Sequence, residues 1–305
     1  MINEYINKFI DNLPDNIKNA SEPINIDLVL DGGIFNGSYL IGALYFLKEM
    51  EKRKYIKIDR ISGCSIGSVA GFLYFIDGLD FMSKLYEITN KDFRESYNLN
   101  IIKELKNHLK EHIPNDICER VNNKFFICYN NIKKGKKTVK SNYSDVEDIF
   151  NTIIKSCFIP FLIDGNILYE NKYFDGINPY VFDKVPNKKI LYLDLFGYDK
   201  IGNLLNVKNE KSNFHRILSG LLDIHCFFIK ETNTTMCSYV NNWSLSNIGF
   251  YYLKILIEKF LIYIMYFCIF INNNIPDEFK NTVLAKIIIK ISNDIFVILL
   301  ENLCL

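Results

Sequence analysis

The sequence predicts an α/β fold: a mainly parallel central sheet with a helical extension toward the C-terminus. Three observations carry this. A β-type run, INIDLVL (24–30), stops at the turn signal Asp31-Gly32-Gly33 and gives way to a helical pattern, GSYLIGALYFLKEM (37–50). The same order repeats in IKIDRIS (56–62), Gly63 and SIGSVAGFLYFI (65–76). Hydrophobic residues make up 49% and charged residues 23% of the 305, ordinary globular usage without a fixed-period repeat. Two successive strand–turn–helix units imply parallel neighbouring strands, because each helix returns the chain to the same end of the sheet.

Before the first strand runs a polar leader, residues 1–23, with a short amphipathic stretch. Within 37–50 the apolar positions Leu40, Ile41, Leu44, Phe46 and Leu47 mark the helix. Further helices are predicted near 80–90, 100–112 and 145–157, strands near 124–130 and 189–196, and a strand-turn at 167–176. These elements define an α/β domain over 24–207. From 208 to 305 the chain reads as mostly helical and increasingly apolar. There, IGFYYLKILIEKFLIYIMYFCIFI (248–271) is interrupted by Lys254, Glu258 and Lys259. The uninterrupted apolar core, Phe260 to Ile271, falls short of the roughly 20 residues a spanning helix needs. A buried helix is the first reading, a segment lying on a lipid surface the second, and a membrane span the third. The run LAKIIIKISNDIFVILLENLCL (284–305) poses the same choice.

Composition excludes several function classes. Lys+Arg 36 against Asp+Glu 35 leaves a net charge of +1, so no global field draws the chain to nucleic acid. The eight cysteines, at 64, 118, 128, 157, 226, 237, 268 and 304, form no C-x-x-C pair and are expected to be reduced. The first residues carry neither a basic nor an apolar signal-peptide region, which points to a cytoplasmic protein.

Three motifs carry chemistry. Gly63-Cys64-Ser65-Ile66-Gly67 is a G-x-S-x-G at a strand-to-helix junction. A serine on such a sharp turn projects its hydroxyl out of the sheet, the flanking glycines let strand and helix pass closely, and the helix N-terminus offers a positive dipole end. Upstream, Asp31-Gly32-Gly33-Ile34-Phe35-Asn36-Gly37 occupies the equivalent junction one unit earlier, where backbone N–H groups could hold an oxyanion. A phosphate-binding loop is disfavoured there, since neither G-x-x-x-x-G-K-[ST] nor G-x-G-x-x-G occurs; a plain βα turn remains the bland reading. The third motif, Tyr173-Phe174-Asp175-Gly176-Ile177-Asn178-Pro179, follows Ser156-Cys157-Phe158-Ile159-Pro160 and presents a carboxylate at a turn.

In this order the three motifs resemble those of the patatin-like phospholipases, over roughly residues 25–200. The resemblance implies a three-layer patatin-like fold and a Ser–Asp dyad, with Ser65 as nucleophile and Asp175 as general base at hydrogen-bond distance. It implies an oxyanion hole near Gly32, Gly33 and Ile34, with Gly37, Gly63, Gly67 and Gly176 supporting the turns. The implied activity is hydrolysis of carboxylic esters in phospholipids or other acyl lipids through an acyl-enzyme, with no metal or cofactor, and with peripheral contact to membranes. The chain departs from the family pattern in three places. Ile34 stands where a third glycine is usual, Asn36 where Arg or Lys is usual, and Ile177 where Gly or Ala is preferred. A side chain at Ile34 is unfavourable if the position needs positive φ. Asn36 removes a cation while leaving an amide able to donate a hydrogen bond.

Other readings compete. These departures favour a degenerate fold that binds lipid or a partner without catalysis. A Ser-His-Asp esterase would need His215 or His225 to reach Ser65. His108, Glu111 and His112 match the letters H-x-x-E-H of a zinc peptidase, but they border the apolar stripe Ile101, Ile102, Leu105 and Leu109 of an amphipathic helix, and Pro114 follows at once.

Overall fold

The computed structural model describes residues 2–197, 200–208, 210, 212–274 and isolated positions between 282 and 302. The chain runs α1 (Ile2–Asp11), α2 (Asp15–Lys18), β1 (Ile24–Leu30), α3 (Gly37–Lys52), β2 (Ile56–Cys64), α4 (Ile66–Phe75), α5 (Phe81–Ser96) and α6 (Ile101–Leu109). It continues through α7 (Ile117–Val121), β3 (Phe125–Asn131), β4 (Lys136–Lys140), α8 (Val146–Cys157), β5 (Tyr173–Phe174), β6 (Lys189–Leu193), α9 (Phe214–Lys230), β7 (Cys237–Tyr239) and α10 (Leu245–Asn274). The strands form one sheet ordered β4–β3–β2–β1–β6–β7, with β5 paired to β3. The four central strands are parallel, as the repeated strand–turn–helix pattern requires. The edge strands β4 and β7 run antiparallel to their neighbours.

Strand periodicity sorts the core into two faces. Leu28, Leu30, Leu191 and Leu193 point into the large core under α3, α4, α8 and α9. Val29, Ile190 and Tyr192 point to the opposite face, where Phe182, Val240 and Trp243 cover them. The N-terminal half of α10 lies on this second face, with Tyr251 against Trp243 and Lys254 over the Tyr192 ring. This is a three-layer arrangement, thick with helices on one side and thinner on the other. The N-terminal helix α1 buries Ile6 and Ile10 in the thick layer.

Two features of the C-terminal part differ from the expectation. Within the part read as mostly helical, β7 adds an unforeseen edge strand to the sheet; its three residues are too few to show a period-two pattern. Helix α10 is not a buried helix, since Phe250, Tyr263 and Phe267 are each more than 60% exposed. Among the described residues no helix is long and apolar enough to cross a membrane. Most of the 284–305 run, with Cys304, lies outside the described residues. Cys64, Cys118, Cys128, Cys157, Cys226 and Cys237 are free thiols.

Helices α3 and α9 touch backbone to backbone. A Cβ on Gly42 would stand 1.9 Å from the Ile217 carbonyl oxygen, and one on Gly220 would stand 1.9 Å from that of Tyr39. Neither neighbour is a side chain that could turn away, so the helices would have to separate. Gly42→Ala and Gly220→Ala should each destabilise the protein by roughly 3 kcal/mol, read as a lower urea midpoint; an unchanged midpoint would refute the close crossing.

Candidate active site

The G-x-S-x-G segment forms the tight elbow its composition predicts. Ser65, at φ 48° and ψ −131°, lies in a region that costs a non-glycine residue of order 1–3 kcal/mol. Surrounding structure holds it there. Its N–H donates to Ser156 Oγ at 2.9 Å, and Ser156 Oγ donates to the Cys128 carbonyl on β3 at 2.6 Å. The elbow also needs bare backbone. A Cβ on Gly67 would meet the Leu30 and Asp31 carbonyl oxygens at 2.5 and 2.6 Å, and one on Gly63 would meet the Gly67 carbonyl oxygen at 2.6 Å. Helix α4 therefore starts directly over the ends of β1 and β2. Gly37 opens α3 against Ile66, and Gly176 abuts the Cys128 carbonyl.

The C-terminal end of α8 and the residue just beyond it tie the serine and aspartate loops together. While Ser156 Oγ receives the Ser65 N–H, the Ser156 carbonyl accepts the Gly176 N–H at 3.2 Å and the Phe158 carbonyl accepts the Asp175 N–H at 2.9 Å. Two residues, Ser156 and Phe158, thus hold two loops separated by more than a hundred positions. The Asp175 carboxylate faces Ser65. Burial pushes its pKa up from 3.8 to about 6, against the opposing pull of the nearby Ser65 hydroxyl and of the Ile177 N–H. Oδ1 accepts the Ile177 N–H at 2.7 Å, whereas buried Oδ2 has no well-formed hydrogen-bond partner. Serine and carboxylate are therefore neighbours without a closed hydrogen bond, an arrangement that commonly tightens only when substrate is in place.

The glycine loop completes the cluster. A Cβ on Gly32 would fall 3.2 Å from Ser65 Cβ and 3.4 Å from the Ile177 carbonyl oxygen, so all three motifs meet at this point. The Gly32 N–H is already engaged, donating to Asp31 Oδ1 at 3.0 Å. Among the described residues, the N–H groups of Gly33 and Ile34 have no intramolecular acceptor. Beside Ser65 opens a narrow pocket, partly open to solvent and walled by apolar side chains including Ile34, Ile66, Val69, Met82, Leu85 and Ile159.

No histidine among the described residues hydrogen-bonds to Ser65 or Asp175. His215 pairs with Glu210 at 3.3 Å, and His225 stacks on Phe9 with ring centroids 4.5 Å apart. His112 packs on Phe81 beyond the end of α6.

The family model of the patatin-like phospholipases matches residues 28–186, over half the chain, and spans all three motifs. The chain belongs to the patatin-like phospholipase family. No curated protein matches it.

The three departures from the patatin-like pattern have structural consequences. Ile34 and Ile177 both adopt positive φ, 46° and 55°, where a β-branched side chain is strained and glycine is not. Asn36 is buried and fully engaged. Its Nδ2 donates to the Leu195 and Lys200 carbonyls at 3.2 and 2.9 Å, as an amide there was expected to do. Its Oδ1 accepts from Arg216 Nη1 at 2.8 Å. A fully buried cation from α9 thus stands beside the position that lacks one. Sequence reasoning did not single out Arg216 or Ser156 as site-supporting residues. The basic residue within an apolar helix was the available signal for the first; for the second, the run 156–160 marks the approach to the aspartate turn, with no role attached to the serine itself.

The raised pKa of Asp175 has a stability consequence. The folded protein holds this proton more tightly than the unfolded chain does, so ionising the carboxyl opposes folding. The penalty is absent below about pH 4, grows as pH rises, and is complete above about pH 6. Asp175→Asn should therefore stabilise the protein at pH 7.5 by on the order of 1–3 kcal/mol. The gain should vanish below pH 4 in denaturation curves; a gain independent of pH would contradict the buried ionised carboxylate.

Proposed function

We propose that this patatin-like protein hydrolyses the carboxylic ester bond of a phospholipid or other acyl lipid through Ser65 and Asp175. The observation that carries the reading is the meeting of a strained serine elbow and a buried, incompletely bonded carboxylate at the mouth of an apolar pocket. Ser65 Oγ attacks the ester carbonyl while its proton passes to Asp175. The tetrahedral oxyanion is held by the Gly33 and Ile34 N–H groups, with the α4 N-terminus adding a positive dipole end. Collapse expels the alcohol, which takes the proton from Asp175, and leaves an acyl group on Ser65. Water then attacks this acyl-enzyme, giving its proton to Asp175; the second collapse returns that proton to Ser65 Oγ and frees the fatty acid. The pocket between α4, α5 and α6 suits the acyl chain, since its walls offer almost only hydrocarbon. The exposed apolar residues of α10 suit a peripheral seat on a lipid surface.

A second reading, a non-catalytic lipid-binding module, draws support from the engaged Gly32 N–H and from strained Ile34. Kinetics separates the two. On a soluble short-chain ester, Ser65→Ala and Asp175→Asn should each lower kcat/KM by at least about 10³-fold. Wild-type kcat/KM should fall about tenfold per pH unit below about pH 6, where Asp175 takes up its proton. Equal turnover in all three proteins would favour the module, and a His225→Ala variant as inactive as Ser65→Ala would favour a triad.

A further inference from the structure

We propose that Lys254 and Glu258, one helical turn apart on α10, are positioning residues that brace both halves of the active site. Both lie outside the segment matched by the family model. At i and i+4 they share one face of the helix, and that face is turned toward the site. Lys254 Nζ donates to Asp31 Oδ2 and to Asp194 Oδ1, both at 2.9 Å. Asp31 is fully buried, and its other oxygen accepts the Gly32 N–H at 3.0 Å. The ammonium thus fixes the carboxylate that fixes the start of the glycine loop. Burial alone would discharge Lys254, but the two carboxylates outweigh it and hold the group firmly protonated.

Glu258 acts on the opposite loop. It is only 5% exposed; Oε1 accepts from Asn130 Nδ2 at 3.2 Å, and Oε2 accepts from Asn178 Nδ2 at 3.0 Å and from Lys137 Nζ at 2.8 Å. The same Asn130 Nδ2 donates to the Asp175 carbonyl at 2.8 Å, and the Asn178 N–H donates to the Gly176 carbonyl at 2.6 Å. Lys137 also reaches the Asn178 carbonyl at 2.8 Å. Every backbone group in this set belongs to the turn that presents the Asp175 carboxylate. A surface helix ordinarily turns apolar residues inward and charges outward. Here the inward face carries a half-buried ammonium at one turn and a buried carboxylate at the next, while Phe250, Leu256 and Phe260 face outward. Anchoring the helix alone would call for an apolar inward stripe; the charges are spent on the two loops.

The kinetic consequence rests on the hydrolase reading; the structural one does not. The test compares Lys254→Met, Lys254→Arg and Glu258→Gln with wild type, by amide hydrogen exchange and by turnover of a monomeric short-chain nitrophenyl ester. Lys254→Met should raise exchange about tenfold at Gly32 and Phe35, whose N–H groups are bonded in this loop, and Glu258→Gln should raise it about tenfold at 175–178, with β1, β2 and β6 unchanged. In Lys254→Met, kcat should fall at least about tenfold with KM within about twofold, because the loops act on the transition state. Lys254→Arg should recover kcat to within about threefold of wild type. Exchange within about twofold of wild type in both loops, or raised equally across the sheet, would overturn the brace. So would unchanged kcat in a folded Lys254→Met protein. Should Lys254→Met not fold, Glu258→Gln and Lys254→Arg carry the same comparison. Wild type that turns over no ester would sink the hydrolase reading, while the exchange measurement would still decide for or against the brace.

Discussion

The passage of α4 over the ends of β1 and β2, backbone against backbone, is the constraint from which the site follows. Carbonyl oxygens of Leu30, Asp31 and Gly67 leave no room for a Cβ on Gly67 or Gly63. Helix and strands can then come close enough only through a one-residue elbow, and Ser65 occupies it with a backbone geometry that solvent-exposed chain would abandon. The strain persists because Ser156 anchors the elbow to β3 and the same short segment anchors the aspartate turn. Positioning of the two side chains is therefore a property of main-chain packing, which a flexible loop could not reproduce.

Two buried carboxylates lie within this frame, and their surroundings separate their roles. Asp31 is neutralised by Lys254 and spends its remaining oxygen on the Gly32 N–H. Among the described residues Asp175 has no cation in hydrogen-bond contact, and it keeps Oδ2 without a well-formed partner beside Ser65. Burial pushes both pKa values upward, against the pull of Lys254 in the case of Asp31, yet only Asp175 faces a hydroxyl whose proton it could accept. Divergent environments for similar groups are how a protein assigns one carboxylate to structure and another to proton transfer.

Much of this was legible in the sequence because backbone crowding demands glycine, and glycine at fixed spacing is visible. The parallel centre of the sheet, the elbow at Ser65 and the turn at Asp175 all announced themselves that way. The segment 156–160 also stood out, although only the structure explains it, through its bonds to both loops. What stayed hidden depends on partners far along the chain. Lys254 and Asp31 are 223 residues apart, and a lysine inside an apolar run reads as an interruption until its acceptor is known. The same holds for Arg216 on Asn36 and Glu258 on Asn178. Strand β7 escaped because three residues carry no period, and the outward apolar face of α10 because hydropathy alone cannot say which side a neighbour covers.

The central claim is that a serine is made nucleophilic by an adjacent buried carboxylate, with no imidazole between them. Peptide mapping by mass spectrometry after reaction with a fluorophosphonate tests this most directly. The account predicts a single adduct on Ser65, formed by the folded protein, lost in urea, and at least about a hundredfold slower in Asp175→Asn. An adduct on another residue, or labelling of Ser65 at an undiminished rate in Asp175→Asn, would contradict it.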